Sequence, residues 1–103
     1  MRLVLVTAPI DQAPELARNL VEGRHAACVN MVPKVRSIYL WEGKIEDEPE
    51  ALLLIKTTSE KVDALTARIK TLHPYDVPEI ISVEINEKES NSEYLNWVEA
   101  VVG

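Results

Sequence analysis

Two hydrophobic periods alternate along this chain, and the switches between them mark out its elements. Arg2 to Thr7 (RLVLVT) is a short apolar run rich in β-branched residues, the pattern of a buried strand. Pro9 ends it. Asp11 is placed to cap a helix whose first turn tolerates Pro14, because early helical N–H groups have no partner to lose. Ala13, Leu16, Ala17, Leu20 and Val21 then recur at helical spacing and form one apolar face, and Gly23 ends or weakens the last turn.

From Val29 the alternation changes to period two. Pro33 has no N–H to donate, so it predicts a bulge, a bend or an edge in this strand. Glu42-Gly43-Lys44 reads as a turn, with Gly43 supplying any positive φ. The return strand passes through the acidic IEDEPE segment into ALLLIKT. Thr58 or Ser59 caps a second helix with an inner stripe of Val62, Leu65, Ile69 and Leu72, which His73-Pro74 stops. Glu79 to Ile85 predicts a fourth strand. Ser90-x-x-Glu93 predicts a capping box for a last helix with Leu95, Val98 and Val102 facing inward.

The order is β-α-β-β-α-β-α. With right-handed crossovers and an antiparallel central hairpin, this is an α+β chain with the ferredoxin-like split βαβ fold and a long hairpin between its second and third strands. It reads as a single domain over residues 1–103. Ala51 to Ile55 are all apolar and leave no face for solvent, so that strand is covered on both sides. A small α+β sheet has helices on one face only. The second cover is therefore expected to be another subunit.

Composition narrows the partners. A formal charge of −6 argues against nucleic acid, since phosphate binding needs a basic face. The opening apolar run is too short for a signal peptide core or a membrane span, and a lone cysteine forms no internal disulfide. The expectation is a cytoplasmic protein with no membrane partner. Six prolines and a single glutamine, Gln12, fit a thermostable chain. No Gly-rich phosphate loop, HExxH or nucleophile elbow occurs, so an enzyme is not expected.

The words ACVNMVPKVRSIYLWEGKIE, LLLIKT, HPYDVPEI and YLNWV, in this order, resemble the CutA divalent-cation-tolerance family over essentially the whole chain. The resemblance implies a ferredoxin-like subunit and a homotrimer in which the hairpin pairs across subunits. It also implies a link to tolerance of copper and other divalent ions, and an architecture similar to PII signalling proteins. The chain departs from the family at Leu40, often aromatic in relatives, in the Asn86–Asn91 turn, and at Gly23 and His25.

Several residues carry candidate chemistry. Cys28 is a soft ligand suited to Cu(I) or Zn, although its apolar neighbours favour a buried core role. His73, beside Asp76 and Glu79, is the better metal candidate, against a competing role as a helix C-cap. Asn30, Tyr39, Trp41, Lys56, Tyr75, Tyr94 and Trp97 are candidates for an intersubunit cleft, with packing between the aromatics as the plainer reading. Lys56 is expected to pair with Glu79 or Asp76, and the Glu46–Glu50 run to be a solvated face. The first functional expectation is a trimer that binds a divalent metal, copper before zinc, with no organic cofactor. The second is a signalling or scaffolding trimer that takes a small anion or a protein in its clefts.

Overall fold

The computed structural model describes all 103 residues. Its elements are β1 (Arg2–Ala8), α1 (Ala13–Glu22), β2 (Cys28–Trp41), β3 (Lys44–Thr57), α2 (Val62–Leu72), β4 (Ile80–Glu84) and α3 (Ser92–Val102), with a 3-10 turn at Ser59–Lys61 before α2. The strands lie in the order β2-β3-β1-β4, and every neighbouring pair is antiparallel. This is the ferredoxin-like arrangement that the periodicity predicts.

The core lies between the sheet and two helices. Val4 and Val6 of β1 and Leu53 and Ile55 of β3 meet Leu20 of α1 and Leu65 and Ile69 of α2, all fully buried. The alternate residues of the same strands form the opposite face: Leu3, Leu5 and Thr7 of β1 stand beside Lys56, Leu54 and Leu52 of β3. On β4, Ile81 and Val83 continue that face and are exposed. Helix α3 closes only one end of the molecule, where Val98 and Val102 pack on Ala27 and Met1. Within one chain, then, Leu52 and Leu54 are only half covered.

The helix starts differ from expectation in an instructive way. Asp11 does not cap α1; the carbonyl of Pro9 accepts the N–H groups of Gln12 and Ala13 at 3.1 and 3.0 Å, and no side chain is needed. Neither Thr58 nor Ser59 caps α2 with its side chain, because the 3-10 turn absorbs those N–H groups and the Ser59 hydroxyl donates to Glu60. Asn91, not Ser90, caps α3, its Oδ1 accepting the Glu93 N–H at 3.0 Å, while Ser90 donates to the carbonyl of Asn86.

Strands β2 and β3 run on past the sheet as a two-stranded arm, paired from Val35–Glu50 out to Trp41–Lys44. The register shifts between Val32 and Val35, so Pro33 lies in the predicted bulge. At the tip, Glu42 and Gly43 have φ of 49° and 80°, the paired left-handed conformation that a two-residue hairpin turn requires. The arm explains the shape, 44 × 27 × 22 Å, and a radius of gyration of 14.2 Å where about 13 Å suits a chain this long. Ile38, Leu40 and Ile45 are exposed along it.

Candidate functional site

The site is built at the root of the arm. Loop 73–79, between α2 and β4, crosses the end of β1 at Thr7 and faces the stretch of ribbon just beyond the bulge. Between them is an open cleft of about 800 Å³. Its walls are Ser37, Tyr39 and Trp41 of β2, Glu48 and Glu50 of β3, and Tyr75, Asp76 and Glu79 of the loop.

The pleat decides which side chains reach it. Residues directly opposite in an antiparallel pair share a face. Val35 pairs with Glu50, Ser37 with Glu48, Tyr39 with Glu46 and Trp41 with Lys44, so rings and carboxylates alternate on one side of the arm. The other side carries Ile38 and Leu40, together with Arg36, whose guanidinium donates to both carboxylate oxygens of Asp47 at 2.8 and 2.6 Å. That bidentate bond holds the Asp47 carboxyl below its ordinary range and raises Arg36.

His73 anchors the loop. It is 7% exposed and is used on both sides of its ring. Its Nε2 lies 2.7 Å from the carbonyl of Thr7, which can only accept, so Nε2 is the protonated nitrogen. Its Nδ1 then accepts the Tyr75 N–H at 3.1 Å. No lone pair is left for a metal. This corrects the expected role of His73 as a metal ligand, and its ring does not cap the carbonyls of α2 either, since it stitches the loop to β1. The ring also packs against that of Tyr75, with centroids 4.7 Å apart and planes tilted by 54°.

Tyr75 completes the anchor by donating its hydroxyl to Glu50 Oε2 at 3.1 Å. Burial first, then that bond and the Glu50 charge, push the phenol from 10.0 up to about 12. Burial and the charges of Glu48, Glu46 and Glu50 raise Tyr39 as well. The folded state therefore holds the Tyr75 proton more tightly than the unfolded chain does. That contribution is complete below pH 10 and is lost as pH rises through about 12. Alkaline denaturation followed by circular dichroism should show Tyr75→Phe losing less stability than the parent across this window. Equal slopes would disprove the coupling.

The remaining candidates lie elsewhere. Lys56 pairs with Leu3 and Cys28 near the opposite end of β1 from loop 73–79. Its ammonium donates to Asn30 Oδ1 and stands 3.8 Å from Cys28 Sγ, not beside Asp76 or Glu79 as expected. Tyr94 joins this second cluster: burial, then a hydrogen bond with Cys28, raises its phenol, and its ring packs 5.6 Å from Trp97. Within one chain, the residues expected of an intersubunit cleft and the expected metal ligands fall in two places. Tyr39, Trp41, Tyr75, Asp76 and Glu79 come together, and so do Cys28, Asn30, Lys56 and Tyr94, but the two groups are separated by the length of the sheet.

For the same reason Cys28 is not brought to His73, Asp76 and Glu79. No group of three or more His, Cys, Asp or Glu side chains converges anywhere in the chain closely enough to hold a metal ion. Glu50 was missed in the sequence, where it looks like part of a solvated acidic run. It is 6% exposed. Its position just before ALLLIKT and opposite the bulge was the available signal.

The model of the family described as CutA1 divalent ion tolerance protein matches residues 2–101. The chain belongs to the CutA1 family. It is 47% identical to the divalent-cation tolerance protein CutA of Thermus thermophilus, over 98% of this chain and 97% of that one. It is 50% identical to the CutA homolog of Xenopus laevis over 94% of this chain, but spans only 64% of that protein's length. Among solved CutA1-family structures, the PII-like protein CutA from Nostoc in apo form superposes with a TM-score of 0.96 at 35% identity, covering 100% of this chain and 98% of that one. The Thermus thermophilus protein gives 0.93 at 47% identity, covering both chains completely.

Proposed function

We propose that this member of the CutA1 family is a non-catalytic homotrimer that binds a small ligand in the cleft at the root of each arm, and that divalent-cation tolerance follows from that binding. The observation that carries the reading is the cleft itself: about 800 Å³, walled by three aromatic rings and by carboxylates on two separate segments of chain. Sites for small organic ligands have this size and this mixture of rings with a few polar groups. The description of the Nostoc relative as PII-like supports the same class of function. The trimer is supported by the half-covered sheet face and by the apolar arm, both of which need a cover that one chain does not provide.

Direct capture of copper or zinc is the second reading, favoured by the family's description as divalent ion tolerance proteins and by the carboxylates Glu48, Glu50, Asp76 and Glu79 around the cleft. It requires ligands from more than one chain, since Cys28, His73 and the carboxylates do not converge within one. Calorimetry with Cu(II) and Zn(II), beside a thermal-shift panel of small organic molecules, separates the two. Ligand-dependent stabilisation with organic molecules but not with metals is the expected result. Saturable metal binding at one site per chain, with no organic ligand, would sink the first reading.

A further inference from the structure

We propose that the cleft at the arm root receives a small organic cation, a primary amine or a quaternary ammonium group, with Glu50 as its counter-ion and Tyr39, Trp41 and Tyr75 as its aromatic walls. This rests on reading the cleft as the ligand site and states the chemistry of what enters it.

Glu50 carries the argument. A carboxylate this deeply buried is normally paired with a cation or fully hydrogen-bonded. Here Oε2 accepts from Tyr75, while Oε1 has no donor. Oε1 is not sealed in, because no buried side-chain oxygen of this chain lacks a partner, and Glu50 lines the cleft. The free oxygen therefore opens into the cavity. None of the ion pairs of the chain involves Glu50, Glu48, Asp76 or Glu79. The one basic residue lining the cleft, Arg36, is committed to Asp47 through both carboxylate oxygens. Within one chain, four carboxylates thus line one cavity without a cation of their own, and low-dielectric walls concentrate their field there.

That field excludes an anion and selects a positive ligand. A bare divalent ion needs several oxygens converging on one point, and these carboxylates surround the cleft without converging. Aromatic faces beside an unpaired carboxylate suit a different cation. A quaternary ammonium presents its charge through its methyl groups and a primary one through its N–H hydrogens, and aromatic faces attract either through their quadrupoles.

The test uses the intact, assembled protein with Trp97→Phe, so that fluorescence reports Trp41. Tetramethylammonium chloride and butylammonium chloride are titrated at constant ionic strength, with potassium chloride, sodium butyrate and inorganic phosphate as controls. The expected result is a saturable change with at least one ammonium salt and none with the controls. Glu50→Gln, whose amide oxygen still accepts from Tyr75, should weaken it at least tenfold. If that variant does not fold, Glu48→Gln with Glu79→Gln should weaken binding several-fold. Undiminished binding in a folded Glu50→Gln protein overturns the proposal. Saturation by butyrate or phosphate and not by ammonium overturns the charge assignment, yet leaves the cleft as a ligand site. A response to none of these salts, with Glu50→Gln destabilising the assembly, gives the counter-ion to a second copy of the chain and overturns the proposal too.

Discussion

Leu40→Asp combined with Ile45→Asp is expected to convert the assembled protein into monomers. The two residues face each other across the arm and are 68% and 71% exposed in the single chain. Neither supports the subunit's own core, so the monomer should keep its secondary structure. In an assembly that buries the arm, each large apolar side chain contributes about 1.5–3 kcal/mol, so six of them in a trimer amount to on the order of 10 kcal/mol. Two charges placed in the same contact turn that contribution into a penalty. Light scattering across a dilution series should show a threefold fall in mass with circular dichroism unchanged. A double variant that remains fully assembled would mean that the arm is not the contact.

Ile55→Ala should be the most damaging single truncation. Ile55 is fully buried and is flanked by Val4 on β1 and Val29 on β2, so it holds three strands against the helices. A buried Ile→Ala change costs about 2–5 kcal/mol, through lost transfer energy and the cavity left behind. A chain this size has little reserve beyond that. Urea denaturation should show the midpoint falling by a large fraction, whereas Ile81→Ala, on the exposed face of β4, should matter chiefly to assembly. Comparable losses for the two would contradict the assignment of core and open face.

The architecture was legible because its signals are local and periodic. The runs around Val4 and Ile55, the helical stripes through Leu20, Leu65 and Val98, and the positive-φ Gly43 each predict an element that forms. Pro33 predicts the bulge through the N–H it lacks. Caps were less legible, because Asn91 and Ser90, or Asp11 and the Pro9 carbonyl, compete for the same few N–H groups over one or two residues. The site was the hardest part. HPYDVPEI places His73 beside two carboxylates in sequence, but the decisive partners of its ring, the Thr7 carbonyl and the Tyr75 N–H, are backbone atoms, and backbone atoms leave no mark in a residue pattern. Lys56 and Asp76 looked like partners because nothing in the sequence states how far apart along a strand they end up. Glu50 looked solvated because burial there comes from a loop more than twenty residues away in the chain.

The bulge has an effect well beyond its own backbone. Upstream of it, even-numbered residues of β2, Cys28 and Asn30, stand on the open face; beyond it, odd-numbered residues, Tyr39 and Trp41, occupy that same side. The extra residue changes the parity of the strand. A ribbon that paired without it would exchange the two sides of the arm and send both rings away from the cleft. Pro33 cannot donate to a regular ladder, so it blocks that alternative. A proline outside the cleft thereby decides that aromatic faces line it, and does so without touching any of the side chains it places there.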